Sequence, residues 1–124
     1  MKLLGDFFYI TDSSIIDSEK IRCVVSFNEA HPIYKAHFIG NPITPGVCLV
    51  QMAVEILESI YKKPFVLQRI RNIKFKKPIT PKENPTYLFT KIVDAGDSIS
   101  ASVSIENDSD QFVKMVGMEI KVIS

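Results

Sequence analysis

The segment from Gly46 to Tyr61 constrains this chain more than any other. Val47, Leu49, Val50, Met52, Ala53, Val54, Ile56, Leu57 and Ile60 leave only a narrow polar stripe. The pattern predicts a helix, and a helix apolar around most of its circumference must be buried on most sides. Pro45 stands beside its start, where a proline costs a helix nothing, and Pro64 stops it shortly after its end. The rest of the 124 residues has to supply the cover.

That remainder reads as β-structure. Strands are predicted over Phe7–Ile16 and Ile21–Phe27, the second with Ile21, Cys23 and Val25 alternating against Arg22 and Val24. Leu67–Lys77 places Ile73 and Phe75 opposite Lys74 and Lys76. Thr86–Val93 follows a proline-rich turn. Ile99, Ala101, Val103 and Ile105 alternate with polar residues, the period of a half-buried strand. The polar tract Asn107–Asp110 then turns into a last strand, Phe112–Val122. His31–Pro45 holds three prolines and a glycine and is predicted to be a structured loop. The expectation is a single α+β domain over residues 1–124, an antiparallel sheet wrapped around one long helix. Its sheet edges would be covered by pairing with a second copy.

Composition narrows the function classes. The chain is 46% hydrophobic and 23% charged, with a net charge of +1, so no global field draws in a partner. Eight of the fifteen basic residues nevertheless fall between Lys62 and Lys82 with no acidic residue among them, a surface suited to an acidic protein. The same tract also reads as a solvated strand face. Nucleic acid is disfavoured, because no basic and stacking motif is present. Cys23 and Cys48 lack CxxC spacing and neighbouring histidines; free buried thiols and no metal site are expected. Gly5 and Asp6 break the N-terminal apolar run, which reads as strand and not as a signal peptide, and no run nears the roughly 18 apolar residues that span a bilayer. A cytoplasmic protein without membrane contact is expected.

Three groups could carry chemistry. His31 and His37 lie in the loop before the helix, and histidine moves protons best near neutral pH. Either could instead pack or cap, His31 more so. Gln51 and Glu55, one helical turn apart, are extended by Glu58 and Ser59. A carboxylate on a greasy helix suits a general acid, while the plainer reading is a solvent-facing stripe. At the helix start, Pro45-Gly46-Val47 offers free N–H groups for an anion or carbonyl, and Gly46 would let a substrate approach the backbone.

Taken together, His31–Val47, reading HPIYKAHFIGNPITPGV, resembles the signature loop of the FabZ-type β-hydroxyacyl-[acyl-carrier-protein] dehydratases, approximately HPFFxGHFPGxPVMPGVL. Ile73–Pro81 is similar to that family's ARFKRPVVPGD segment, and the likeness runs over nearly the whole chain. The resemblance implies a hotdog fold and a homodimer or higher even oligomer, with the active site in a tunnel between subunits. It implies loss of water from a β-hydroxyacyl thioester to give a trans-2-enoyl thioester, as in fatty acid biosynthesis. The substrate would arrive on the phosphopantetheine of an acyl carrier protein or coenzyme A, with no metal or redox cofactor. His37 matches the catalytic histidine and the Gly46 N–H the carbonyl donor; Pro45, Val47 and Phe38 belong to the same substrate-binding loop. Lys74, Lys76 and Lys77 are candidates for docking the carrier protein.

The sequence departs from the family on the helix. Its motif there runs approximately VEALAQ, with the glutamate as acid, whereas this chain has Val50-Gln51-Met52-Ala53-Val54-Glu55. Carboxylate and carboxamide have exchanged places. Glu55 would then supply the proton, directly or through a water held by Gln51. Two alternatives follow from the same departure: an inactive subunit that pairs with an active paralogue or binds an acyl carrier, and a hotdog acyl-thioester hydrolase.

Overall fold

Alternating apolar residues build six strands here, and the apolar helix supplies their common core. A computed structural model describes residues 2–36 and 40–123. In chain order the elements are β1 (Phe8–Asp17), β2 (Lys20–Phe27), α1 (Pro32–Ala36), α2 (Gly46–Tyr61), β3 (Phe65–Phe75), β4 (Thr86–Asp94), β5 (Ser98–Glu106) and β6 (Gln111–Val122). All neighbouring strands pair antiparallel, in the order β1-β2-β4-β5-β6-β3. Register shifts at Ile10/Asp12, Leu67/Arg69, Thr90/Val93 and Ala101/Val103 mark bulges, which bend and twist a sheet. The result is the curved antiparallel sheet and single long helix of a hotdog fold, as expected.

On the core face, Ile21, Cys23 and Val25 of β2, Tyr87 and Phe89 of β4, and Val103 and Ile105 of β5 pack with Met52, Ala53, Ile56 and Leu57 of α2. Each large side chain buried this way contributes about 1.5–3 kcal/mol. Tyr87 donates its buried hydroxyl to the Leu49 carbonyl at 2.8 Å, fixing the helix over β4. At the helix C-terminus Lys62 adopts a left-handed conformation (φ 56°), and its N–H closes on the Glu58 carbonyl at 2.8 Å. The Glu58 carboxylate then accepts the Phe65 N–H at 2.9 Å, tying the helix end to the start of β3.

Three elements differ from the sequence expectation. The N-terminal run, read as strand, instead forms a turn over residues 5–7 before β1. The loop over 31–45 contains the short helix α1, which begins with Pro32 where its missing N–H is harmless. The pattern in β3 does not bury one face: Ile73 is half-buried, while Phe75 is 55% exposed. The reason is position. β3 is an edge strand, hydrogen-bonded only to β6 among the described strands, and its own Val66, Leu67 and Phe75 lie open.

Candidate functional site

The start of α2 is built by its neighbours and not by a side-chain cap. Pro45 is the residue before the helix, and its carbonyl accepts the Cys48 and Leu49 N–H groups at 3.0 and 3.2 Å. The N–H groups of Gly46 and Val47 have no acceptor among the described residues. They form the positive end of the helix dipole. Ile43, Thr44, Pro45, Gly46, Leu49, the β3-end residue Phe75 and the following Lys76–Ile79 line a largely apolar cavity of about 410 Å³ there.

The glycine at position 46 has a packing reason that the sequence does not show. A Cβ placed on it would lie 2.8 Å from Cε1 and Cζ of Phe75. The ring of Phe75, and not open space, covers that side of the backbone. The expected room for a substrate at Gly46 is therefore shared with an exposed aromatic ring. Val47 is 77% exposed and does not line this cavity.

Gln51 and Glu55 do come together: Gln51 Nε2 donates to Glu55 Oε2 at 2.8 Å. They are not a solvent-facing stripe. Glu55 is 1% exposed. Its Oε1 accepts the Leu3 N–H at 2.8 Å and the Leu4 N–H at 2.7 Å, and its Oε2 accepts the Leu3 N–H at 2.9 Å. A buried carboxylate is stable only when hydrogen bonds replace its water, and these donors do so. Gln51, half-buried, stands between Glu55 and a second cavity of about 480 Å³, lined also by Lys2, Val54, Glu58, Phe65, Val66 and Leu67. Glu55 is not part of that lining.

His37 and Phe38 lie outside the described residues. The segment that precedes them is held firmly. His31 Nδ1 accepts the Ile33 N–H at 3.1 Å, so its Nε2 carries the proton shared with Asp6 Oδ2 at 3.0 Å. The Phe7 ring meets His31 edge-on at 5.2 Å and stacks on Tyr34 at 5.3 Å. Tyr34 Oη and Thr44 Oγ1 share a buried hydrogen bond at 2.9 Å, and the Thr44 N–H reaches the Ile79 carbonyl at 2.8 Å. His31 thus packs and caps, the plainer of its two readings. Asp6, Phe7, Tyr34 and Thr44 are not legible as site neighbours from sequence, because most of their partners are remote in the chain.

The basic tract is partly neutralised. Lys77 pairs with Asp110, Lys76 donates to Gln111, and Arg69 pairs with Glu119 at 2.6 Å. Lys74 is exposed and faces Lys114 across the β3–β6 pair. Cys23 and Cys48 are free and buried, and burial pushes the Cys23 thiol up to about 11, with Asp12 adding to the effect. Among the described residues no helix is long and apolar enough to cross a membrane.

Known proteins share this fold. Residues 13–115 match the model of the ApeI-like family, described as ApeI dehydratase. The chain is 42% identical over 64 residues to the 3-hydroxyacyl-[acyl-carrier-protein] dehydratase FabZ of a Wolbachia species (subsp. Drosophila simulans), covering 46% of this chain and 43% of that one. It is 31% identical over 96 residues to FabZ of Geotalea uraniireducens, covering 65% of each. The chain thus spans about half the length of the curated relatives it matches. Among solved structures, the dehydratase heterocomplex ApeI:P from Xenorhabdus doucetiae superposes with a TM-score of 0.66 at 12% identity, covering 90% of this chain and 96% of that one. Mouse thioesterase superfamily member 2 superposes with a TM-score of 0.59 at 17% identity, covering 96% and 84%. At these identities the structures share the fold.

Proposed function

The chain belongs to the ApeI-like dehydratase family, and from that membership we propose that it removes water from β-hydroxyacyl thioesters to give trans-2-enoyl thioesters. The observation that carries this reading is the Gln51–Glu55 pair at the family's acid position, with Gln51 turned to a cavity beside the edge strand. In this reading His37 takes the proton next to the thioester carbonyl. The Gly46 N–H holds the carbonyl oxygen, and the helix dipole adds to it; one such donor is worth about 2.7–4 kcal/mol in the transition state. Gln51 hydrogen-bonds the departing hydroxyl, and a carboxamide can do no more than that. Glu55 stands behind it and orients it. The proton that leaves with the hydroxyl as water comes from the histidinium formed at His37, so atoms balance and the histidine is regenerated. No oxidation-state change occurs overall, so the reaction needs no redox cofactor. The thioester is carried by an acyl carrier protein, with Lys74 and its neighbours as the docking surface, or by coenzyme A. A cytoplasmic homodimer, joined along β3 with Pro45, Val47 and Phe38 lining a shared tunnel, completes the proposal.

A second reading draws on the heterocomplex formed by a structural neighbour. Here the chain is the non-catalytic member of a mixed pair, consistent with Gln51 in the acid's place. One experiment separates the readings. Purified protein is given a β-hydroxyacyl thioester, and enoyl absorbance and free thiol are followed together. Enoyl product that falls about 10²–10⁴-fold in His37→Ala supports the dehydratase. Thiol release without enoyl product identifies a hydrolase and rejects both readings. An inert purified chain, with turnover only alongside a co-purified paralogue, supports the mixed pair.

A further inference from the structure

We infer that the N-terminal turn, Leu3–Phe7, is a clamp that positions both halves of the proposed site, with Glu55 and Asp6 as its positioning residues. This deepens the dehydratase reading and rests on it. The turn is closed by its own backbone: Asp6 and Phe7 donate to the Leu3 carbonyl at 3.1 and 2.7 Å, and Gly5 donates to the Phe8 carbonyl at 2.8 Å. One end of it meets the helix. The Leu3 and Leu4 N–H groups point at Glu55, which in turn receives Gln51 Nε2. One N–H of the Gln51 amide is taken by Glu55, which restrains that side chain.

The other end meets the loop. Asp6 Oδ2 holds His31 Nε2 at 3.0 Å, and the Asp6 carbonyl accepts Asn28 Nδ2 at 3.0 Å. The Phe7 carbonyl accepts the Asn28 N–H at 2.9 Å, and the Phe7 ring touches both His31 and Tyr34. His31–Ala36 leads directly into His37. The same short turn therefore grips the helix that bears Gln51 and the segment that delivers His37. A hydrocarbon at position 55 would avoid burying a charge, yet could neither hold two backbone N–H groups nor orient Gln51. Leu3 and Phe7, 2% and 0% exposed, anchor the turn in the core.

The test uses the full chain with two variants, one at each end of the clamp. Asp6 is 72% exposed at its side chain, so Asp6→Ala removes the grip on His31 without opening the core. Amide exchange by NMR, without substrate, should quicken about tenfold over residues 33–36 in Asp6→Ala and at Leu3 and Leu4 in Glu55→Gln. In turnover, Asp6→Ala should lower kcat about tenfold with KM little changed. Asp6→Asn, which keeps an acceptor for His31, should restore most of it. Unchanged exchange over 33–36 in Asp6→Ala overturns the clamp, and so does a kcat that Asp6→Asn fails to restore. The exchange measurements stand even if no dehydration is found, so the failure of the clamp and of the dehydratase reading are told apart.

Discussion

Exchanging the residues at positions 51 and 55 should be tolerated as a double change and costly as either single one. In the native pair an amide N–H₂ faces a buried carboxylate across 2.8 Å. Gln51→Glu alone sets a second carboxylate in that place. At an effective dielectric of about 20, two full charges at this separation repel by about 6 kcal/mol. The pair can escape by keeping one proton, which at about pH 7 costs about 4 kcal/mol against a reference carboxyl value of about 4.3. Gln51 is half-buried and borders a cavity, so turning outward lowers the penalty further, to about 2–4 kcal/mol. Glu55→Gln alone turns an N–H₂ group toward donors and forfeits bonds worth about 2 kcal/mol. In the double variant the new carboxamide at position 55 donates to the new carboxylate at position 51 and still accepts from the N-terminal turn, leaving a deficit of about 1–2 kcal/mol. The favourable coupling should therefore reach about 2–5 kcal/mol.

Urea unfolding of the four proteins measures it, with the slopes confirming a common unfolded state. The sign with pH follows from linkage. The crowded pair in Gln51→Glu binds its proton more tightly folded than unfolded. Its penalty is thus absent below about pH 4 and grows as pH rises toward neutrality. Penalties of the single variants that add to within about 0.5 kcal/mol, or a Gln51→Glu deficit that ignores pH, would refute the reasoning. The double variant also presents a carboxyl to the cavity, so its dehydration rate should exceed wild type by about 10²-fold.

Single contacts elsewhere carry their own expectations. Gly46→Ala should displace the Phe75 ring, which stands 2.8 Å from the new methyl position; kcat/KM should fall, and adding Phe75→Ala should recover part of it. Tyr87→Phe leaves the hydroxyl bond to Leu49 unmade and should cost about 1–2 kcal/mol in urea unfolding. Lys62→Gly relieves a left-handed conformation and should raise stability by about 1 kcal/mol, read as a higher unfolding midpoint. Burial holds the Cys23 thiol protonated up to about 11, above its ordinary value of 9.0, so stability should decline as pH rises through that window; Cys23→Ser should lessen the decline, with buried Cys48, Tyr34 and Tyr87 supplying the rest.

Much of the architecture is written in local pattern. The apolar run from Gly46, the proline before it and the proline after its end delimit α2 with the bounds observed. Period-2 alternation locates the inner strands β2, β4 and β5 to within a few residues, because alternation suits a sheet with one buried face; the edge strands β1 and β3 lack that one-face burial. The loop and helix motifs together point to the family, since they need no knowledge of what lies across the core. The short helix α1 is hidden in the sequence because the prolines of the 31–45 segment read as turn signals, although Pro32 merely starts the helix.

The fate of the Gln51–Glu55 pair belonged to tertiary structure. Spacing puts the two side chains on one face, yet cannot say which of them meets solvent. Leu3 and Leu4, 52 and 51 residues earlier in the chain, close over Glu55 with backbone N–H groups and leave Gln51 beside the cavity. Backbone donors have no signature in sequence, and neither does the ring of Phe75 lying on Gly46. Helix and strands follow from short-range periodicity; burial and partnership depend on which distant segments the sheet order brings together.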